Sequence, residues 1–371
     1  MRKKIFCLFL SVFLFCQPFH VSAVERRSRS TTTITISFAG DCTLGYDDSF
    51  GMWSSFVEIY QIQQSYSYFL ENVQHIFSES DITVVNLETT LTNATAKAEK
   101  QFTFRGPPEF ANILTAGSVD AVNIANNHIM DYFQRGFDET LESLTNVGVE
   151  YFGLGNYCII EKKGIKAAFL GYNGWSSAQS AKNQVQSDIN LMRAEGAGLV
   201  FVYFHWGAEN VNYPNQTQIE LGRFAIDAGA DMVCGAHPHV MQSIEEYNGK
   251  YIVYSLGNFA YGGHKNPADK DTLILQYYAT YKNDGNGNAI GEKISDGIKI
   301  IPCLLSSIKE RNDYRPTPAQ GDDFDRIVKR LNEFSKQTNT VLDGSLFYTP
   351  TKKLSNIGKT LRKVIRIELI K

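Results

Sequence analysis

Apolar residues along this chain fall into two alternating patterns. Short runs rich in β-branched residues predict strands at 33–39, 81–85, 119–125, 166–172, 198–204, 231–234 and 251–255. Between them, apolar residues at helical spacing predict helices within 55–80 and at 110–116, 136–146, 187–194, 216–228 and 322–337. Two further strands, 273–281 and 297–306, flank a turn-rich segment. Because alternating strands and helices need crossover connections, the pattern predicts an α/β fold with a large parallel component.

The composition is that of a globular protein. The 371 residues, 43% hydrophobic and 20% charged, can form a large core. These fractions exclude a wholly disordered chain, a collagen and a coiled coil. The formal net charge of −3 gives no reason to expect a nucleic-acid partner.

Residues 1–23 have the layout of a secretory signal peptide. Arg2, Lys3 and Lys4 precede an apolar run at 5–16, and small residues follow at 21–23. The apolar run is too short to span a bilayer. We therefore expect a secreted, extracytoplasmic protein associated with the cell envelope. Cleavage would leave 36 − 3 = 33 basic residues against 39 acidic ones, a net charge of −6.

The cysteines do not form a disulfide framework. Cys42, Cys158, Cys234 and Cys303 remain after the expected cleavage, and none has the C-x-x-C spacing of a zinc ribbon. One disulfide bridge stays open as an alternative outside the cytoplasm. We favour the interpretation that all four are small, buried apolar residues.

Residues with metal-binding chemistry follow the predicted strands. They are two carboxylates, one amide and four imidazoles: Asp41, Glu88, Asn127, His128, His205, His237 and His239. Because ligands bind beyond the carboxyl ends of strands in open α/β sheets, we expect these side chains to converge. Carboxylate oxygen with imidazole nitrogen suits one or two Mn, Zn or Fe ions. Turn and helix-cap roles are the alternative, but four histidines at strand ends favour a metal site.

Six sequence motifs resemble those of the bacterial capsule-synthesis CapA family, named for poly-γ-glutamate capsule biosynthesis. They are FAGDCTLG at 38–45, DITVVNLETTLT at 81–92, VDAVNIANNHIMDYFQRGFDETLESL at 119–144, FVYFHWGAEN at 201–210, GADMVCGAHPHVMQSIE at 229–245 and YSLGNFAY at 254–261. That family is related in fold to the calcineurin-like metallophosphoesterases. The resemblance therefore implies a four-layer α/β/β/α sandwich of mixed sheets, with helices on the outer faces and two metals between the sheets.

The resemblance also implies a role for each strand-end residue. The metal ligands would be Asp41 and His239 for the first ion, Asn127, His205 and His237 for the second, and Glu88 as the bridge. His128 would be the non-ligating acid that protonates the leaving group. The chain departs from the superfamily pattern at two positions: Thr43 replaces a histidine ligand, and Glu88 replaces an aspartate. The first metal site is therefore short of one strong ligand.

Further residues in or near the motifs are candidates for substrate binding. They are Arg105, Asp131, Trp206, Glu209 and Asn258. Arg105 could pair with a carboxylate or phosphate, or form a surface ion pair. For Trp206 the alternative is packing beside the site.

The motifs also suggest a domain layout. It places a mobile arm at 24–32, a metallophosphoesterase-like domain at 33–320 and a C-terminal helical extension at 321–371. The last twenty residues carry seven basic residues against one acid. A docked terminal helix is the favoured interpretation of this tail, and contact with an anionic membrane surface is the alternative.

Two functions from different classes are compatible with these features. The first is a metal-dependent hydrolase in capsule or exopolymer biosynthesis, cleaving a phosphoester or an amide of a polymer such as poly-γ-glutamate. The second is a non-catalytic binding, export or assembly factor that works with a membrane-bound capsule synthetase. In both, the expected partner is an anionic envelope polymer or its precursor.

Overall fold

A computed structural model describes residues 31–348. The expected signal peptide, nearly all of the expected arm and the basic segment at 352–371 lie outside the described residues. Within residues 31–348, no helix combines the length and apolar character needed to cross a bilayer.

The described chain alternates strands with helices, as the apolar pattern predicts. The strands are β1 (Thr31–Thr43), β2 (Ile82–Leu87), β3 (Thr90–Leu91), β4 (Arg105–Gly106), β5 (Ala121–Asn123), β6 (Glu150–Phe152), β7 (Tyr157–Lys162), β8 (Ile165–Asn173), β9 (Leu199–His205), β10 (Met232–Ala236), β11 (Ile244–Tyr247), β12 (Lys250–Val253), β13 (Asn258–Tyr261), β14 (Asp271–Asn283), β15 (Ala289–Leu304) and β16 (Thr317–Pro318). The helices are α1 (Phe56–Gln63), α2 (Gln74–Glu79), α3 (Ala111–Ala116), α4 (Phe133–Val147), α5 (Gln179–Ala194), α6 (Gln216–Asp227) and α7 (Asp322–Ser335). The expected α/β class is confirmed.

Two mixed sheets organise the fold. The first has the order β16-β15-β14-β1-β2-β5-β6, with β13 pairing beside β1. The second has the order β11-β12-β10-β9-β8-β7. Strands β1, β2, β5 and β6 are parallel in the first sheet, as are β8, β9, β10 and β12 in the second. Each sheet therefore presents a row of carboxyl strand ends at one edge.

Strand β1 changes partners along its length, and this change positions the site. Thr31 to Phe38 pair with β14, whereas Asp41 and Thr43 pair with β13. At the irregularity between them lies Gly40, where a Cβ atom would stand 1.8 Å from the carbonyl oxygen of Gly257. Only glycine allows this approach, which lets the Asp41 amide donate to that same carbonyl at 3.0 Å.

Alternation along the central strands produces three apolar clusters. The first cluster contains residues of both sheets, and the Phe38 and Phe201 rings meet there at 5.2 Å. In the second, Val85 and Val122 of the first sheet pack with side chains of α1 to α4. In the third, Val202 of the second sheet packs with side chains of α5 and α6. Strands buried on both faces carry continuous apolar runs, and these are the strands that the pattern predicts best.

The C-terminal part of the described chain packs against the rest. Ile327 and Leu331 of α7 belong to the cluster shared by both sheets. Strands β14 and β15 are longer than predicted and extend the first sheet by antiparallel pairing. The four cysteines within residues 31–348 are free and buried, which confirms the favoured interpretation.

Candidate metal centre

The carboxyl ends of strands from both sheets meet at one place. Asp41 on β1 is in register with Asn86 on β2, and His205 on β9 is in register with Ala236 on β10. A hydrogen bond joins the sheets here, because the His237 amide donates to Asp41 Oδ2 at 3.3 Å. The predicted convergence of residues distant in sequence is therefore present in the fold.

Three overlapping sets of side chains have ligand atoms close enough to share a cation. The sets are Glu88, His205 and His237; Asp41, Glu88 and His239; and Glu209, His237 and His239. Within each set the ligand atoms lie within 4.8 Å of one another. Five of the six residues are predicted metal ligands. The sixth, Glu209, is a predicted substrate-binding residue that the structure places beside His237 and His239.

Glu88 is the least satisfied polar side chain of this cluster. It is fully buried, and neither carboxylate oxygen has a hydrogen-bond partner among the described residues. Its Oε1 atom lies 3.4 Å from His205 Nε2, and its Oε2 atom lies 3.9 Å from His239 Nδ1. A buried carboxylate without a partner is costly, so a missing positive group is the simplest physical explanation. Buried His237 Nδ1 and Thr43 Oγ1 are also without partners in the described chain.

The electrostatics of the cluster split its groups into neutral and charged ones. Burial, with Asp41 nearby, raises the pKa of Glu88 to about 8. Burial lowers the pKa of His205 and of His237 to about 3, so both imidazoles are neutral and have a lone pair to give. For Asp41 and His239, burial disfavours charge, but the attraction of Glu88 and Asp41 for His239 and of His239 for Asp41, at 3.3 Å, outweighs it. The pKa of Asp41 is therefore lowered and that of His239 is raised.

A network of asparagines holds the ligands in place. Asn86 Nδ2 donates to Asp41 Oδ1 at 2.8 Å and lies 3.3 Å from His205 Nδ1. Asn86 Oδ1 accepts from Asn123 Nδ2 at 2.8 Å. On the other side of the His205 ring, Nε2 lies 2.7 Å from Asn127 Oδ1. Asn86 thus orients the imidazole at Nδ1. A cation bound at Nε2 would replace the contact between Nε2 and Asn127 Oδ1.

His128 lies beside this cluster and is positioned by a buried carboxylate. Its Nδ1 atom lies 2.7 Å from Asp131 Oδ2, which also accepts from the Phe104 amide. Lys100 Nζ donates to Asp131 Oδ1 and to the Asn127 carbonyl, both at 2.6 Å. Asp131 is therefore an orienting partner of His128, and not a residue placed to contact substrate directly.

The two histidines of the Ala-His-Pro-His loop have unusual backbone conformations. His237 has a φ of 95° and His239 a φ of 59°, both in the left-handed region that non-glycine residues rarely adopt. Asn258 holds the second of them, since its Oδ1 lies 2.9 Å from His239 Nδ1 and its Nδ2 donates to the His239 carbonyl. Such strain at the loop that aims two imidazoles into the cluster is typical of functional sites.

Two of the predicted substrate-binding residues have structural partners instead. Trp206 is 0% exposed and donates to the Tyr254 carbonyl at 2.7 Å, so the structure does not bring it to the site. Arg105 donates to the Ala94 carbonyl at 2.7 Å and lies over the Tyr132 ring. Both side chains therefore stabilise the surroundings of the site.

Three neighbours of the cluster are not among the residues predicted from the sequence. Asn86 lies two residues before Glu88 within a quoted motif, so its position alone is a signal. Lys100 gives no such signal, because its contacts depend on tertiary structure. Trp175 follows the carboxyl end of β8 and lies edge-on to His237 and His205, with ring centroids at 4.8 and 5.8 Å. A residue directly after a central parallel strand could have been included on that basis.

The fold and the cluster together define a class: a mixed α/β protein with a candidate divalent-cation centre at its strand ends. Within that class, the chain belongs to the family described as bacterial capsule synthesis protein PGA_cap, whose family model matches residues 35–262. The resemblance drawn from the motifs is confirmed. The matched span includes every candidate site residue from Asp41 to Asn258.

Curated relatives carry related names. The chain is 27% identical over 364 residues to the PGA biosynthesis protein CapA of Bacillus subtilis, covering 92% of this chain and 89% of that protein. It is 29% identical to the capsule biosynthesis protein CapA of Bacillus anthracis, covering 64% of this chain and 59% of that protein. A probable polyglutamine synthesis accessory protein of Mycobacterium tuberculosis is 25% identical, with 75% of this chain and 79% of that protein covered.

Solved structures are more distant. A hypothetical protein from Thermus thermophilus matches with a TM-score of 0.42 and 14% identity, covering 72% of this chain and 99% of that chain. A 5'-nucleotidase from Candida albicans matches with a TM-score of 0.39 and 12% identity, covering 82% of this chain and 57% of that chain. Scores this low do not establish a shared fold.

Proposed function

We propose that this protein takes part in capsule or exopolymer biosynthesis of the poly-γ-glutamate type, and that its strand-end cluster is a divalent-metal hydrolase site. The family and the names of the relatives support the biosynthetic role. The layout of residues 1–23 supports secretion and action at the cell envelope. The three apolar clusters, two of them on helix-covered faces, support a four-layer α/β/β/α order of the metallophosphoesterase type.

The observation that carries the proposal is the environment of Glu88. A buried carboxyl group without hydrogen bonds lies among imidazoles, and their candidate ligand atoms lie within 4.8 Å of one another in each set. This donor set fits a divalent cation, because carboxylate oxygen and imidazole nitrogen are ligands for Mn, Zn or Fe. The buried, unpartnered His237 Nδ1 fits the same explanation.

The residues present would hold one or two ions unequally. The ligands would be Glu88, Asn127, His205 and His237 for one ion, and Asp41, Glu88 and His239 for the other. Thr43 stands where an imidazole would complete the second set, so that site has the weaker donors. When bound, a divalent cation supplies Lewis acidity, which polarises a substrate oxygen and makes a water molecule more acidic.

His128 is the proposed general acid. Because its Nδ1 atom faces the Asp131 carboxylate at 2.7 Å, the ring is held so that Nε2 is left to act on substrate. Nε2 would deliver a proton to the leaving group, either a phosphoester oxygen or an amide nitrogen. Lys100 holds Asp131 and the Asn127 carbonyl together, which keeps the acid and a candidate ligand on one rigid loop.

The proposed partners follow from the envelope location. They are an anionic envelope polymer or its precursor, and a membrane-bound capsule synthetase. Relatives named as accessory proteins of polyglutamine synthesis support an association of this kind. Contact of the basic tail with a membrane surface remains a proposal that rests on the sequence of residues 352–371 alone.

Elemental analysis of the purified protein tests the proposed site. We expect at least one equivalent of Mn, Zn or Fe in protein purified without added metal, and its loss in His205→Ala. His75→Gln is the matched control, because His75 lies on α2 outside the cluster. Hydrolysis of a phosphoester and of γ-glutamyl oligomers is then compared for the same three proteins. Wild-type protein that binds no divalent ion would overturn the proposal.

A non-catalytic polymer-binding, export or assembly role is the second candidate. Thr43 favours it, because a buried hydroxyl replaces the imidazole that a two-metal phosphoesterase uses. Complementation of a strain that lacks this protein separates the two functions. Full capsule formation by a folded His128→Ala variant would support the non-catalytic role, whereas loss of capsule formation would support catalysis.

A further inference from the structure

Exposed aromatic side chains lie in loops at the same edge as the metal cluster. Trp53 is 77% exposed and follows β1, while Phe102 is 36% exposed and precedes β4. His264 is exposed in the loop that follows β13, the parallel neighbour of β1. Large aromatic residues are seldom left this open, so their grouping beside a candidate site points to a ligand.

Ring contacts connect these residues to the candidate acid. The His128 ring centroid lies 4.3 Å from that of Phe104, which lies 6.4 Å from that of Phe102. Phe102 in turn lies 5.3 Å from Phe50, and Phe50 lies 6.4 Å from His264. A continuous aromatic path therefore runs from the site outward across three loops.

Positive charges lie along the same path. Lys265 Nζ stands 5.9 Å from the centre of the Trp53 ring, and no carboxylate lies within 4 Å of it in the part of the chain that the structure describes. Lys97 and Arg105 share the single carboxylate of Asp48, at 4.0 and 3.7 Å. Lys265 thus offers this surface a cation without a carboxylate partner among the described residues, whereas Arg105 is already held by the Ala94 carbonyl and the Tyr132 ring.

We propose that this loop surface, defined by Phe50, Trp53, Phe102, His264 and Lys265, binds a strand of an anionic polymer that enters the site. Its repeat unit would carry one carboxylate and a run of methylene groups, as a glutamyl polymer does. The methylene groups of the polymer would pack on the aromatic rings, and its carboxylates would pair with Lys265 and Lys97. The inference rests on the proposed function, since it names the surface that would present the polymer to that site.

The chemistry of the surface favours an anionic polymer over a neutral polysaccharide or a second copy of the chain. A neutral polysaccharide would use the rings but gain nothing from the lysines, so its binding would not depend on salt. A second copy of the chain would make binding depend on protein concentration. An anionic strand needs both the rings and the cations, and its binding weakens as salt screens the charges.

The test measures binding of a fluorescently labelled γ-glutamyl decamer to the purified full chain by anisotropy. Trp53→Ala, Phe102→Ala and Lys265→Gln should each weaken binding by about three- to ten-fold, the range of a single aromatic or cation–π contact. Matched controls are Tyr157→Ala and Lys329→Gln, which remove an exposed aromatic residue and an exposed lysine elsewhere. These controls should stay within about two-fold of wild type.

The result is read beside cation binding, measured calorimetrically with Mn²⁺ for every variant. If the variants keep the Mn²⁺ affinity of the wild type but bind the decamer more weakly, the result supports the proposal that this loop surface binds the polymer. Decamer binding that the three variants leave intact overturns it, even if the cation site is real. Wild type that binds no Mn²⁺ refutes the proposed function, while the decamer result still decides the surface. Equal loss of dextran binding, or of a dimer in sedimentation, would reassign the surface to a neutral polysaccharide or a second copy.

Discussion

Replacing Glu88 with glutamine should stabilise the apoprotein and abolish its response to divalent cations. The folded apoprotein buries this carboxyl group beside Asp41, and its pKa is raised from 4.5 to about 8. A carboxyl pKa raised by folding leaves stability intact below pH about 4.5, because both states are then protonated. Stability is lost between pH about 4.5 and 8, since only the unfolded chain ionises freely. Glutamine has no such loss.

The size of the effect follows from the same shift. At pH 7 the unfolded carboxyl group is about 2.5 pKa units past its midpoint, which is worth about 3 kcal/mol. For the roughly 320 described residues, the unfolding entropy is about 0.7 kcal/mol per kelvin, so Tm should rise by about 5 °C. The amide of glutamine and a protonated carboxyl group both lack a hydrogen-bond partner in this position. The cost of burying an unpartnered polar group is therefore about the same in the two proteins and does not change the difference.

An added divalent cation should stabilise the wild type but leave the Glu88→Gln variant unchanged. At one hundred times its dissociation constant, a cation stabilises the wild type by about 2.7 kcal/mol, or about 4 °C in Tm. The Glu88→Gln variant lacks the negatively charged carboxylate common to two of the three ligand sets, so its Tm should not move. Differential scanning calorimetry at pH 7, with chelator and then with MnCl₂, measures both quantities.

Two outcomes would contradict the expected behaviour of Glu88→Gln. His75→Gln serves as the control and should keep the full cation response. A Glu88→Gln apoprotein less stable than the wild type would show that the carboxylate has a partner that the structure does not contain. A cation response that survives in the variant would show that the ion binds elsewhere.

Three further predictions concern the surroundings of the cluster. Gly40→Ala should lower the free energy of unfolding by at least about 2 kcal/mol in urea titrations, because its Cβ would overlap the Gly257 carbonyl; a smaller loss would show that β1 can shift. Asp131→Asn should slow any hydrolysis by about a hundred-fold through His128 while metal content stays constant; an unchanged rate would remove His128 from the mechanism. Lys293, Tyr277 and Lys250 lower the pKa of Asp296 to about 2 despite burial, and after solvent screening this contributes about 1 kcal/mol that is lost between pH about 4 and 2. Asp296→Asn should remove this slope from unfolding curves recorded across that range.

The sequence predicts the parts of the fold that are buried on both sides. Strands β9 and β10 are continuous apolar runs because each face meets a core cluster. Helix α5 begins at Gln179, eight residues before its predicted start, since its first two turns are mainly polar and only Val185 among them is buried. Edge strand β7 was missed for the same reason, because exposed residues break its apolar pattern.

The site was predictable where position on a strand decides it. His205 ends β9, so its place at the sheet edge follows from topology. Trp206 comes next, and successive residues of an extended chain point to opposite faces. Because the His205 side chain points towards the cluster, the Trp206 side chain points towards the helices on the other face. This alternation argues against Trp206 as a substrate-binding residue. The contacts of Lys100 depend on how distant loops meet, which no local pattern contains.

Cation binding at the proposed site would depend on the packing of the two sheets. Asp41 lies on the first sheet and Glu88 follows its strand β2, whereas His205 lies on the second sheet and His237 and His239 follow its strand β10. The two donor sets that contain Glu88 therefore draw on both sheets. A cation bound between them would stabilise the docked arrangement by as much as docking would improve the affinity for the cation. Substitutions that loosen the shared core, such as Phe38→Ala, should therefore weaken cation binding without touching a ligand. Because Phe38 and Asp41 lie on the same strand, this coupling needs no separate transmitting element.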